Sequence, residues 1–273
     1  MKLSNRCQDF EQSEIRTMTK ECVKVDGINM AQGVCDLAVP AVVIASAKKA
    51  MDAGVNIYTP PEGLPQLREQ IALKMDRFYD LEVSVDEVMV SDGATGAFYT
   101  AVLALLNPGD EVILFEPYYG YHKATLNSAG IVTKYVRMSA PEWEIDFGLL
   151  HASVSEKTRG ILICNPGNPS GKVFTKVELE ALGDFATKHD LVVFSDEMYE
   201  HFIYDDGVHI PALSIASLKE RTVVISGFSK VFSVTGWRLG YAITSKEVIA
   251  AMSSFNDLIY VCAPAPLQIG VAQ

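Results

Sequence analysis

This sequence of 273 residues is poor in several features, and each shortage excludes a class of protein. It has no basic surplus. Lys and Arg total 23 against 34 Asp and Glu, a formal net charge of −11. Without a basic face, non-specific binding to nucleic acid or to an anionic membrane has no electrostatic drive. It has no paired cysteines. Cys7, Cys22, Cys35, Cys164 and Cys262 are odd in number and show no CxxC spacing. That pattern fits reduced thiols of a cytoplasmic protein better than a disulfide framework. The five histidines form neither HxH nor HExxH, so no metal site is expected. No apolar run approaches the roughly eighteen residues of a membrane-crossing helix. The opening Met1-Lys2-Leu3-Ser4-Asn5-Arg6 leads into no apolar stretch of secretory type. Internal repeats and low-complexity segments are also missing.

What is present is a regular alternation of short apolar runs with longer amphipathic ones. Strands are predicted at Val88–Val90, Val112–Phe115, Ile131–Val136, Ile161–Cys164, Leu191–Phe194, Val223–Ile225 and Gly240–Thr244. Helices are predicted over Val42–Ala53, Pro65–Tyr79, Ala94–Leu106 and Tyr119–Ala129. Another opens at Thr175-Lys176-Val177-Glu178, a capping box, with Val177, Leu182, Phe185 and Ala186 on its apolar side. Strands apolar throughout and separated by helices predict an α/β fold: a three-layer αβα sandwich around a mostly parallel sheet. Ligands of such sheets sit at the carboxyl ends of the strands. Residues 1–40 lack strong periodicity and are expected to form an arm outside a main domain over 41–273.

The segments that follow the strands carry the chemistry. After Val90 comes Ser91-Asp92-Gly93-Ala94-Thr95-Gly96-Ala97, small residues at a helix start, where free N–H groups suit a phosphate. After Cys164 comes Asn165-Pro166-Gly167-Asn168-Pro169-Ser170-Gly171, a rigid turn that presents the Asn168 amide. After Phe194 comes Ser195-Asp196-Glu197-Met198-Tyr199, with an acid that needs a cationic or hydrogen-bonding partner. After Ile225 comes Ser226-Gly227-Phe228-Ser229-Lys230, then Gly236-Trp237-Arg238-Leu239-Gly240. A lysine at a strand end beside an arginine is expected to lean toward the neutral amine, a nucleophile for carbonyls. Arg238 offers a fork that matches phosphate. Taken singly, each segment has an ordinary structural explanation: close packing, a turn, a helix cap. Together they call for one ligand with a phosphate, an aldehyde, a basic ring nitrogen and a ring oxygen. Pyridoxal 5′-phosphate has all four.

The stretch Ser226-Gly-Phe-Ser-Lys-Val-Phe-Ser-Val-Thr-Gly-Trp-Arg-Leu-Gly240, with NPGNPSG at 165–171 and Asp196-Glu197-Met198-Tyr199, resembles the class I/II pyridoxal-phosphate-dependent aminotransferases. The resemblance covers nearly the whole chain and implies the large domain of fold type I. It implies Lys230 as the catalytic residue that holds the cofactor as an internal aldimine. Asp196 is implied on the pyridine nitrogen, Asn168 and Tyr199 on the ring oxygen, and Tyr119 against the ring face. Gly93, Ala94, Thr95, Ser226, Ser229 and Arg238 are implied around the phosphate. Tyr58 matches a tyrosine that reaches the neighbouring subunit's site, which implies a homodimer. Gly33, with Tyr119 and Asn168, is implied in binding substrate. The segment Ile28–Gly33 and Tyr199-Glu200-His201-Phe202 look most like the kynurenine, glutamine and methionine aminotransferase branch. There relatives usually carry Phe-Pro-Asp after Gly33, whereas this chain has Val34-Cys35-Asp36. The implied activity moves an amino group between an L-amino acid and a 2-oxo acid. Alternatives are a C–S β-lyase on the same cofactor and a cofactor-binding form with little turnover. The family's smaller C-terminal domain, and the arginine it lends to the substrate carboxylate, are expected to be largely missing.

Overall fold

Strands that are apolar on both faces stay out of water only when both faces are covered. In the computed structural model, which describes residues 1–4, 7 and 13–273, they are. Asn5 and Arg6 of the opening segment lie outside the described residues. Seven strands form one sheet: β1 Val88–Asp92, β2 Glu111–Glu116, β3 Val132–Arg137, β4 Thr158–Cys164, β5 Val192–Asp196, β6 Thr222–Gly227 and β7 Leu239–Ile243. Their spatial order is β1-β7-β6-β5-β4-β2-β3. Six share one direction, and β7 runs against both its neighbours.

Side chains alternate between the two faces, as the strand period requires. Met89, Leu114, Leu162, Phe194 and Ile225 face one helical layer, with α4 Gly93–Leu105, α5 Gly120–Ser128 and α9 Lys246–Tyr260. Ile113, Ile163 and Val193 face the other, with α6 Phe147–Ala152, α7 Lys176–Lys188 and α8 Ala216–Lys219. On that same side Val90, Val224 and Tyr241 meet α2 Ala41–Asp52, α3 Pro65–Tyr79 and α10 Ala265–Ala272. The three layers and the mostly parallel sheet are those expected.

The α7 capping box forms as predicted: the Thr175 hydroxyl accepts from the Glu178 amide, and Glu178 reaches back to the Thr175 amide. Val177 departs from expectation and is 73% exposed. It stands five residues before Leu182, about 140° round the helix, and so falls off the apolar stripe. The arm contains a helix that the sequence reading missed, α1 Glu14–Lys24. Ile15, Met18 and Cys22 stand at helical spacing and were the available signal, although none of the helix's residues is buried. Among the described residues no helix is long and apolar enough to cross a membrane.

Candidate active site

Chain order β2, β3, β4 takes the backbone to the sheet edge and back to the other side of β2. A crevice opens where the order reverses, at the carboxyl ends of β2 and β4. Every group the sequence singled out after a strand arrives at this end of the sheet.

The phosphate-like cup lies where β1 turns into α4. Asp92 gives α4 no side-chain cap, which leaves the helix's first N–H groups to other partners. Gly93 adopts φ +74°, and a Cβ there would lie 2.2 Å from Arg238 Nη2. Across the cup, a Cβ on Gly240 would lie 2.2 Å from the Ala94 nitrogen. Gly93 is favoured by its left-handed φ, and Gly240 is required by the backbone its Cβ would strike. Arg238 precedes β7, and the reversed direction of that strand pairs Leu239 with Asp92. This pairing delivers the guanidinium to the cup, where Nη2 donates to the Asp92 carbonyl at 3.4 Å and Nη1 to the Thr235 carbonyl at 3.1 Å.

At the end of β5, Asp196 Oδ1 accepts from the Met198 amide at 3.1 Å. Its Oδ2 lies 2.8 Å from His122 Nε2. The sequence reading missed His122. The available signal was its spacing: three residues beyond Tyr119, it shares that residue's side of α5. The His122 ring is buried edge-on between Phe98 and Tyr119, at centroid distances of 5.5 and 5.2 Å. Tyr119 itself occupies the N-cap of α5 and stacks on Tyr121. Burial pushes its phenol up, with Tyr121, Tyr199 and Asp196 acting the same way.

After β4, Asn165 pins the turn, accepting from the Phe174 amide at 3.1 Å and donating to the Ile210 carbonyl at 3.2 Å. The turn presents Asn168, whose Nδ2 donates to the Tyr199 hydroxyl at 3.3 Å. Burial, then the charge of Asp196, pushes the Tyr199 phenol up to about 12, so it stays a donor at neutral pH.

Lys230 Nζ donates to the Gly33 carbonyl at 2.6 Å and lies 6.0 Å from the Tyr199 ring centre. Its pKa is lowered by burial, with Cys35 working in the opposite direction. The neutral leaning expected of Lys230 is therefore present, but desolvation rather than Arg238 is its source. Ser229 is buried beside it. Ser226 is corrected: it points away from the cup. On β6 it alternates with Ile225 and Gly227 and so faces the opposite side, where its hydroxyl bonds the Glu197 carbonyl and Glu200, each at 3.3 Å. Tyr58 also stands apart from the Lys230 cluster. It is 80% exposed, on a cleft of about 380 Å³ that Asp92 and Tyr260 also line.

The family model for aminotransferase class I and II matches residues 25–273. An aspartate aminotransferase of Pyrococcus abyssi is 36% identical over 100% of this chain and 71% of its own. The structure of N-succinyldiaminopimelate aminotransferase from Mycobacterium tuberculosis superimposes with a TM-score of 0.96 at 32% identity, over 99% of this chain and 71% of that one. An Escherichia coli protein reported with a methionine aminotransferase function superimposes at 0.94 and 29% identity, over 100% and 72%. A family match over this length, together with these likenesses, places the chain among the class I and II aminotransferases, enzymes that use pyridoxal 5′-phosphate.

Proposed function

We propose that the residues gathered at the sheet end hold pyridoxal 5′-phosphate and carry out amino-group transfer between an L-amino acid and a 2-oxo acid. The donor set fits the cofactor. Gly93 lets the Arg238 guanidinium lie against the start of α4, and Gly240 lets β7 approach the Gly93–Ala94 backbone; a Cβ at either would push these donors apart. The N–H groups of Gly93, Ala94 and Thr95, the Arg238 fork and the Ser229 hydroxyl are phosphate donors. Asp196, aimed by His122 and the Met198 amide, is the acceptor for a protonated ring nitrogen. Asn168 and Tyr199 donate to the ring oxygen, and Tyr119 packs on the ring face. When bound, the cofactor supplies an aldehyde and a ring that draws electrons from the substrate Cα.

The chain supplies the rest. Lys230 is the covalent anchor, and its partly desolvated amine takes and returns the proton at Cα. Gly33, Tyr119 and Asn168 bound the space for substrate and exclude water from Cα. The segment Val34-Cys35-Asp36 shapes the side-chain pocket. Relatives are named for aspartate, N-succinyldiaminopimelate and methionine substrates, all α-amino acids. Residues 1–40 form an arm and 41–273 the cofactor-binding domain. Exposed Tyr58 supports a homodimer in which it completes the partner's phosphate site, five free cysteines support a cytoplasmic setting, and the net charge of −11 disfavours nucleic-acid partners.

The observation that carries this reading is convergence. Lys230, Asp196, Asn168 and Arg238 stand at or beside the ends of four different strands, yet lie at one end of one sheet. The test is to titrate purified protein with a panel of amino acids while following visible cofactor absorbance and 2-oxo acid release. Loss of absorbance with equimolar oxo acid is expected for true donors. Release of pyruvate and ammonia without an acceptor, or unchanged turnover in Lys230→Ala, refutes the reading.

A further inference from the structure

Directly behind Tyr199, on the side of the sheet covered by α3, lies a second buried polar cluster. Lys74 of α3 donates to both carboxylate oxygens of Glu200 and, at 3.0 Å, to the Tyr241 hydroxyl. The Tyr79 hydroxyl donates to Glu200 Oε2 at 2.6 Å, and the Tyr241 hydroxyl to Oε1 at 3.3 Å. Ser226 adds its hydroxyl at 3.3 Å. Glu200 is 8% exposed and Ser226 1%. Burial works against both charges, yet both persist. The Glu200 carboxyl is lowered because Lys74 outweighs desolvation, and the Lys74 ammonium is raised because Tyr241 and Glu200 do.

A buried ion pair is a weak way to stabilise a fold, because desolvation consumes most of the attraction. A pair of apolar residues would serve packing as well. What this pair does is add, to the sheet bonds between β5 and β6, a polar link to α3 where the Tyr199 and Lys230 segments leave the sheet. Glu200 is the neighbour of Tyr199 in the chain. Ser226 lies four residues before Lys230. Lys74 is anchored on a helix whose Leu67, Ile71 and Met75 are core residues.

We propose that Glu200, fixed by Lys74, is a positioning residue: it sets the Tyr199 phenol and the Ser226–Lys230 segment relative to each other. It thereby aims the hydrogen bond that Tyr199 offers the bound cofactor's ring oxygen. This inference rests on the reading of the site given above. The cluster touches neither cofactor nor substrate, so its effect passes through Tyr199.

The experiment compares Lys74→Met/Glu200→Met, Tyr199→Phe and the three combined, each as full-length protein. Two quantities are read: the melting temperature without cofactor, and the apparent pKa of the bound cofactor's visible absorbance. Removing both charges together leaves no unpaired ion but takes the acceptor from the Tyr79 and Tyr241 hydroxyls, so melting is expected to fall while the protein stays folded. The apparent pKa is expected to rise by about one unit, as in Tyr199→Phe, because a donor to the ring oxygen is lost or misaimed. The combined variant is expected to rise no further, the mark of two groups acting through one bond. If the double variant does not fold, Glu200→Gln is read the same way, and Glu200→Asp is expected to recover part of the shift. A folded variant with the parent's apparent pKa, or full additivity with Tyr199→Phe, overturns the proposal. Absence of any cofactor absorbance in the unaltered protein overturns instead the site reading beneath it.

Discussion

Gly93→Ala is the sharpest single probe of the cup. Two costs follow from geometry. The backbone at 93 has φ +74°, where an L-residue costs about 1–2 kcal/mol relative to glycine. For a chain of this size that lowers the melting temperature by about 2–4 °C per kcal/mol, with or without cofactor. The second cost concerns binding alone. The new methyl would lie 2.2 Å from Arg238 Nη2 and 2.8 Å from Cζ. Both belong to the free end of a flexible side chain, so the guanidinium swings aside and the fold survives. A displaced guanidinium loses its charge-assisted bonds to the phosphate, about 1.5–3 kcal/mol, or roughly 10- to 100-fold in cofactor affinity. Titrating cofactor-free protein with pyridoxal 5′-phosphate and following visible absorbance measures this directly. Pyridoxal without the phosphate is the control, and its affinity is expected to stay within about twofold. A folded Gly93→Ala protein with the parent's phosphate-dependent affinity refutes the assignment of the cup.

Four further outcomes are expected. His122→Phe strips Asp196 Oδ2 of its ring partner and should lower kcat/KM about 10- to 100-fold, with melting little changed; an unchanged rate would show the pair to be idle. In cofactor-free protein the Lys230 amine, lowered by burial, loses its proton at lower pH than exposed lysines. Peptide-mapped acylation should therefore reach half its limit at Lys230 below the ordinary lysine value of 10.5, and a midpoint at or above that value contradicts the burial argument. Mixing Lys230→Ala with Tyr58→Ala subunits should restore about a quarter of parental activity, because half the dimers then hold one intact site; no gain on mixing removes Tyr58 from the partner's site. Phe194→Ala, emptying a fully buried ring position on β5, should cost about 3–5 kcal/mol by denaturant unfolding, and a loss under 1 kcal/mol would mean the core around β5 collapses freely.

Much of this fold was legible in the chain because its cues are local. Apolar runs such as Ile161–Cys164 announce strands buried on both faces, and Thr175 with Glu178 caps a helix whatever surrounds it. The segments after the strands were legible for the same reason, since turn residues and a lysine at a strand end are read over a few positions. Pairings across the chain were not. Nothing near residue 239 says that β7 runs against its neighbours, yet that reversal alone carries Arg238 to the start of α4. The side to which Ser226 turns depends on strand register, which one residue's shift inverts, and the fold sends it to Glu200 and away from the cup. His122 meets Asp196 across 74 positions, and Lys74 meets Glu200 across 126. Hydrophobic periodicity and turn chemistry thus settled which elements form and which residues wait at their ends. Only packing, acting between residues far apart in sequence, decided which of those residues touch, because burial leaves a charged or polar group no neighbour but the one the fold provides.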